Sequence, residues 1–198
     1  MKYLEFTDVE IHELKSEIIG ETFEILVKQP DPQILSLFGD KPLPVIYGTD
    51  ANISAGSYID TIEGLLLGGE IPPVLFIGIR YKLGDEPDFM QFVTSRTREF
   101  TPTEDLENQN LMEQMTLREV KGGGAENFLK FLTTELRDWV SERFNVSDDT
   151  TYIGDSMGGL FGLYTLFTEP NAFKRYVIGS PWQEWNYPKT FELEKEYA

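Results

Sequence analysis

Apolar and polar residues alternate in Val9-Glu10-Ile11-His12-Glu13-Leu14 and again in Thr22-Phe23-Glu24-Ile25-Leu26-Val27-Lys28, with Gly20 between the runs. A period of two puts successive side chains on opposite faces of an extended chain, so the pattern predicts an antiparallel hairpin. Gln29-Pro30-Asp31-Pro32 and Gly39-Asp40-Lys41-Pro42 bracket a loop, after which the pattern changes. Leu43-Pro44-Val45-Ile46-Tyr47 and Pro72-Pro73-Val74-Leu75-Phe76-Ile77-Gly78-Ile79 are apolar on both faces, as strands in the middle of a covered sheet must be. Between them, Ile53, Tyr58, Ile59, Ile62, Leu65 and Leu66 keep helical spacing until Gly68-Gly69 stops the helix. Two-sided strands joined through a helix predict a parallel sheet with helices on its faces.

The rhythm breaks over 81–124, a long, polar stretch rich in loop formers that reads as an active-site loop insertion. Gly122-Gly123-Gly124 lacks the lysine and Ser/Thr of a phosphate loop and reads as a hinge into a helix start. The helix follows over Glu126 to Phe144, with Phe128, Leu132, Leu136, Trp139 and Val140 in one core-facing stripe. Thr151 to Gly154 is extended, and Leu160, Phe161, Leu163, Tyr164, Leu166 and Phe167 belong to a helix stopped by Glu169-Pro170. A last strand runs through Phe173 to Pro181, and 182–198 reads as an aromatic and acidic tail with Trp182, Trp185 and Tyr187. With no internal repeat visible, 1–198 reads as a single domain.

Chemistry enters at Gly154-Asp155-Ser156-Met157-Gly158, where the strand passes into the helix through Gly-x-Ser-x-Gly. A strand-to-helix turn of this kind lifts a serine hydroxyl above the sheet, and glycine at the flanking positions is expected because the turn is tight. Ser156 is therefore the candidate nucleophile. The helix that follows directs its first free N–H groups at the same point, so the Met157 amide is a candidate donor to the oxyanion of a tetrahedral intermediate.

Charge and composition narrow the partners. The chain has 34 Asp and Glu against 17 Lys and Arg, a net charge of −17 spread along its length, which disfavours nucleic acid and anionic membranes. It has no cysteine, so it can form neither disulfides nor thiolate metal sites, and this suits a cytoplasmic protein. No apolar run is long enough to span a bilayer, and Met1 to Asp8 has no signal-like apolar region. Asp85, Glu86 and Asp88 have no recognisable ligand spacing and histidines do not cluster, so no metal is expected. A dinucleotide fingerprint is also missing, and no cofactor is expected.

The chain resembles the putative-esterase family of α/β-hydrolases, which includes esterase D-like proteins and ferric-siderophore esterases of the enterobactin type. The residues carrying the resemblance are Val45-Ile46-Tyr47-Gly48-Thr49-Asp50, Arg96-Thr97-Arg98-Glu99-Phe100-Thr101-Pro102, Gly123-Gly124-Ala125 with Phe128-Leu129 and Glu135-Leu136, the elbow itself, and Ser180-Pro181-Trp182. The resemblance implies an α/β-hydrolase fold: a three-layer, doubly wound, mostly parallel sheet with an N-terminal antiparallel hairpin, lacking the last strands. It further implies a small-molecule ester substrate, Ser156 as nucleophile, and an oxyanion hole of the Met157 N–H with backbone at Asp50 and Ala51. Arg96, Arg98 and Trp182 would lie toward the substrate, with loop-ordering ion pairs the competing role for the two arginines.

One departure from the family pattern bears on activity. The triad acid and histidine of these hydrolases follow the nucleophile, whereas the sole histidine here is His12, in the first hairpin. A serine without a base is a poor nucleophile, so the expectation is an ester hydrolase with weak or complemented activity, or else a catalytically dead binding or scaffold protein. A sheet lacking its last strands would also expose an edge and the apolar side of the elbow helix. The expectation is then a homo-oligomer joined there, with Trp182, Trp185 and Tyr187 in the contact.

Overall fold

The structure, a computed structural model, describes residues 8–83 and 88–198. Six strands form one mixed sheet in the order β1-β2-β4-β3-β5-β6. Strands β1 (Val9–Lys15) and β2 (Thr22–Lys28) make the hairpin that the alternation predicts, in the register His12 opposite Ile25, and β2 joins β4 (Leu75–Tyr81) antiparallel. From there the sheet is parallel through β3 (Leu43–Gly48), β5 (Val146–Asp155) and β6 (Arg175–Gly179). The two-sided apolar strands β3 and β4 lie at the centre, where Val45, Tyr47, Leu75 and Ile77 are buried.

Helix α2 (Ala51–Leu67) links β3 to β4 and turns Ala51, Ala55 and Ile59 toward the sheet. On the other side of the strand order, α7 (Met157–Thr168) links β5 to β6 with Leu160 and Phe161 fully buried. Helix α5 (Ala125–Phe131) continues through a π turn (Leu132–Leu136) into α6 (Arg137–Ser141). Phe128, Leu132, Leu136 and Val140, all at 0% exposure, are spaced by four at every step. Four residues overrun a 3.6-residue turn, and the wider π turn takes up the excess so that one face stays on the core. Glu135 in that turn accepts from the Ser16 hydroxyl and the Glu17 and Ile18 amides, fastening the hairpin turn to the helix layer.

Three stretches depart from the sequence expectations. The loop expected at 29–42 contains α1 (Pro32–Phe38), started by Asp31, whose carboxylate accepts from the Gln33 amide. The insertion at 81–124 is largely helical among its described residues, with α3 (Phe89–Phe100) and α4 (Leu106–Thr116) capped by Asp88 and Asp105. The tail at 182–198 folds back as α8 (Tyr187–Tyr197), which packs on α7 with Phe167 and Tyr197 ring centroids 5.6 Å apart. Of the exposed patch expected over Leu160 to Phe167, Leu160 and Phe161 are instead in the main core, Phe161 against Phe100, Phe128 and Tyr152, while α8 covers Phe167. Trp185 is likewise unavailable to a partner: it is fully buried and its indole N–H donates to the Thr103 carbonyl at 2.9 Å.

Gly122 and Gly124 are packing positions and Gly123, at φ 88°, supplies a left-handed turn, so the run is not a free hinge. A Cβ on Gly122 would lie 2.6 Å from the Trp185 ring, and one on Gly124 would lie 2.7 Å from the Arg98 carbonyl, which the Gly124 amide binds at 2.9 Å. Of the acidic trio at 85–88, Asp85 and Glu86 lie outside the described residues, and so do Met1 to Thr7 of the expected signal-free N-terminus. Asp88 caps α3 and pairs with Arg118. None of the described helices is long and apolar enough to cross a membrane.

Candidate active site

Ser156 sits between β5 and α7 with φ 58° and ψ −115°, a backbone conformation that costs a non-glycine residue about 1–3 kcal/mol. Its surroundings hold it there. The Ser156 amide donates to the Gly179 carbonyl at 3.0 Å, while its carbonyl accepts from the Leu160 and Trp182 amides at 2.9 Å each. The side chain is half-buried, at the carboxyl end of a parallel strand flanked by β3 and β6.

The left-handed residue at the elbow is the serine, and the two flanking glycines are required, as the tight turn leads one to expect, because nothing larger fits there. Neither Gly154 nor Gly158 has positive φ, yet neither has room for a Cβ. At Gly154 it would collide with the Tyr152 hydroxyl and lie 2.6 Å from the Gly158 carbonyl, and at Gly158 it would lie 2.6 Å from Thr49 Oγ1. The elbow is thus pressed against the β3–α2 turn, and the N-termini of α7 and α2 converge.

Asp50 starts α2 in the left-handed region, φ 56°, ψ 31°, and is 3% exposed. Aspartate at this position ordinarily accepts from the first-turn amides. Here it makes no such bond; both carboxylate oxygens are taken by Arg96 of α3, Nε to Oδ1 at 2.9 Å and Nη2 to Oδ2 at 2.5 Å. Burial pushes the Asp50 carboxyl above its ordinary value and Arg96 pulls it back. The guanidinium is disfavoured by its own burial, and Asp50 holds it above its ordinary value. Of these opposed directions, the bidentate geometry supports the ion pair. Phe92 and Phe100 flank the guanidinium, with ring centroids 5.6 and 5.7 Å from it. The consequence for α2 is that its first amides, Ala51 among them, have no carboxylate cap and stand beside the equally uncapped start of α7. Two positive helix ends meeting at a strained serine favour negative charge there.

Thr97, one residue on from Arg96, reaches the Met157 sulfur at 3.6 Å, so α3 touches both the α2 turn and the elbow. Asn52 adds a third tie, exchanging hydrogen bonds with the backbone of Tyr81 at 2.8 and 3.0 Å. Of the residues expected at the site, Ser156, Met157, Asp50, Ala51 and Arg96 come together. Trp182 lies beside them, its amide on the Ser156 carbonyl and its indole edge-on to Trp185 at 5.8 Å.

Arg98 faces away from this group, bound to Glu99 at 2.5 Å and to Glu21 of the hairpin turn at 3.3 Å. Glu99 is 2% exposed, and burial raises its carboxyl to about 7 against the opposing pull of Arg98. His12 lies on the far edge strand, four strand spacings or about 19 Å from β5. It bonds Glu10 at 2.9 Å and packs edge-on to Trp139. An apolar cavity of about 210 Å³, lined by Ile34, Ile59, Ile62, Leu66, Val74 and Phe76, opens at the amino ends of the parallel strands, away from Ser156.

Known proteins share this fold and part of this sequence. The chain is 32% identical over 195 residues to the ferri-bacillibactin esterase of Bacillus subtilis, covering 94% of the chain and 62% of that enzyme. It is 29% identical over 175 residues to the siderophore triacetylfusarinine C esterase of Aspergillus fumigatus, covering 84% of the chain and 53% of the relative. The chain therefore spans about three fifths of the length of these relatives or less. Among solved structures, the BES protein from Bacillus cereus superposes with a TM-score of 0.78 at 25% identity, over 100% of this chain and 70% of that one. An IroE-like serine hydrolase from Shewanella oneidensis superposes with a TM-score of 0.78 at 23% identity, over 96% and 55%. The sheet is that of the α/β-hydrolases, and a match running from the first hairpin turn into the last helix, residues 16–192, makes the chain a member of the family described as Putative esterase.

Proposed function

We propose that the chain carries the nucleophile and oxyanion half of a serine carboxylic-ester hydrolase, with Ser156 as nucleophile. The observation that carries this reading is the over-determined backbone of Ser156, left-handed at the junction of a parallel strand and a helix start. In the proposed step Ser156 Oγ bonds to the ester carbonyl carbon. The oxyanion is met by the Met157 amide and by backbone at Asp50 and Ala51; the serine proton travels through water to the alkoxide as its bond to the carbonyl carbon breaks, and a second water then cleaves the acyl–Ser156 bond, releasing the acid and restoring the hydroxyl. Trp182 and Arg96 border the substrate, Arg96 acting chiefly through Asp50.

Siderophore esters are the proposed substrate class, on the strength of relatives named for ferri-bacillibactin and triacetylfusarinine C. His12, on the far edge strand, is too distant to take the serine proton, so the activity proposed for this chain by itself is weak or complemented. Assembly, where it occurs, uses the outer edge of β6, where Val177 is 51% exposed; Trp185, buried in the fold, takes no part.

Treatment with diisopropyl fluorophosphate followed by intact mass and peptide mapping tests the reading. One phosphoryl adduct on Ser156 is expected, lost in Ser156→Ala and kept at the parent rate in His12→Ala. An unmodified Ser156, or labelling elsewhere at the same rate, refutes it.

A further inference from the structure

Tyr152 is fully buried, and its hydroxyl stands between the two halves of the proposed oxyanion hole. On one side it donates to the Gly158 carbonyl in the first turn of α7 at 2.6 Å. On the other it lies 3.2 Å from Thr49 Oγ1, in the turn that leads into Asp50 and Ala51. A phenol has one proton, and the Gly158 carbonyl can only accept, so the direction of the chain is fixed: the Thr49 hydroxyl donates to Tyr152 and Tyr152 donates to Gly158. The alternative acceptor for Thr49, the Ile153 carbonyl, is at the long distance of 3.5 Å.

We infer that Tyr152 and Thr49 are positioning residues for the oxyanion site: their hydroxyl chain sets the gap between the Ala51 and Met157 amides. The close approaches at the elbow agree with this. The side chains that would meet Cβ atoms at Gly154 and Gly158 are Tyr152 and Thr49 respectively, and a Cβ on Gly162 would lie 2.8 Å from the Tyr152 ring. Three glycines thus make room for the chain, and both motif glycines contact its hydroxyls. The helix would form without it, because the Gly158 carbonyl is also placed to accept from within α7. What the phenol adds is a tether between two helix starts that are connected to different strands. The inference rests on the proposed role of Ser156 and extends it to residues that do not touch substrate.

The test uses Tyr152→Phe, Thr49→Val and the double variant, compared with the parent by thermal melting and by the kinetics of diisopropyl fluorophosphate addition. Tyr152→Phe leaves the Thr49 hydroxyl with only the distant Ile153 carbonyl and lowers Tm, whereas in Thr49→Val the phenol still donates to Gly158 and the loss is smaller; removing both hydroxyls leaves an apolar pair and restores much of the Tyr152→Phe loss. Positioning predicts a different pattern for reactivity: the limiting rate of phosphorylation falls about tenfold in both single variants and stays low in the double, while the half-saturating concentration is unchanged. Reactivity that recovers with Tm in the double variant overturns the inference and leaves a structural role. An independent readout separates its failure from that of the nucleophile. In ¹⁵N–¹H spectra, Tyr152→Phe should move the Ala51 and Met157 amide resonances whether or not Ser156 reacts, and spectra in which both stay in place also overturn it.

Discussion

Replacing Arg96 by methionine removes the guanidinium but keeps an unbranched side chain between Phe92 and Phe100, so the main loss is the partner of Asp50. The Asp50 side chain is 4% exposed and has two ways to respond. If it stays ionised it is an uncompensated buried charge, at a cost of about 3–5 kcal/mol. If it takes up a proton, the cost is set by pH: from an ordinary value of 3.8, and at about 1.36 kcal/mol per unit, it is about 4 kcal/mol near pH 7. The two routes cost about the same near neutrality, but only the second becomes cheaper in acid, falling to about 1.6 kcal/mol near pH 5. The folded variant then holds Asp50 protonated while the unfolded chain ionises it above 3.8, so the native state binds the extra proton and stability falls as pH rises. At about 2–4 °C per kcal/mol for a chain of this size, thermal melts should place the Arg96→Met variant roughly 8–16 °C below the parent near pH 7 and roughly 3–6 °C below near pH 5. Adding Asp50→Asn removes the titrating group and should flatten the difference. A gap that stays constant across this range, or one under about 1 kcal/mol near pH 7, would show that Asp50 reaches water once Arg96 is gone and that the pair does not clamp the turn.

Gly158→Ala places a Cβ 2.6 Å from Thr49 Oγ1 and 3.4 Å from Asp50 Oδ2, so a destabilisation of about 1–3 kcal/mol is expected in urea titrations, partly relieved by Thr49→Ala. Gly64→Ala is the control: it lies within exposed helix and nothing stands within 4 Å of the added atom, so it should stabilise by about 0.5–1 kcal/mol, and equal losses at both sites would contradict the packing described. Glu99, raised to about 7 from an ordinary 4.5, faces Arg98 and Glu21 and sits near Tyr81, whose hydroxyl, like Glu99 Oε2, has no hydrogen-bond partner among the described residues. Because the folded state binds the extra proton, stability should be greatest below 4.5 as far as this group is concerned and be lost as pH rises through about 7; Glu99→Gln should remove that slope, and an unchanged pH profile would argue against it.

The hairpin, the central strands and the elbow could be read from the sequence because their signals are local: period two, two-sided apolar runs, and glycine around one serine. Helices α1, α3 and α4 were hidden by composition, since 29–42 and 81–124 are polar and carry many loop formers. Their start signals were present nonetheless. Asp31 before Pro32, Asp88 before Phe89 and Asp105 before Leu106 each stand where an aspartate accepts from amides two or three residues on. The beginning of β5 was less legible. Val146-Ser147-Asp148-Asp149-Thr150 has the look of a turn, and it is extended because β3 pairs with it across an irregular register at Leu43 and Val45.

The helical form of α3 also sends its two arginines in different directions, where a loop would leave them equivalent. Positions two apart on an α-helix point about 200° away from each other, so Arg96 and Arg98 cannot both face one site. Arg96 turns to Asp50 and the elbow, while Arg98 turns to Glu99 and the hairpin. The side chain between them, Thr97, meets the Met157 sulfur, and the Arg96–Asp50 pair puts Arg96 on the side of α3 toward the α2 turn and the elbow. What one sequence could not reveal is the partner of each group. The Asp50 carboxylate caps no amide of α2, and only the fold brings Arg96 close enough to bind both its oxygens while the Ile53 and Ser54 amides turn to the Asp50 carbonyl.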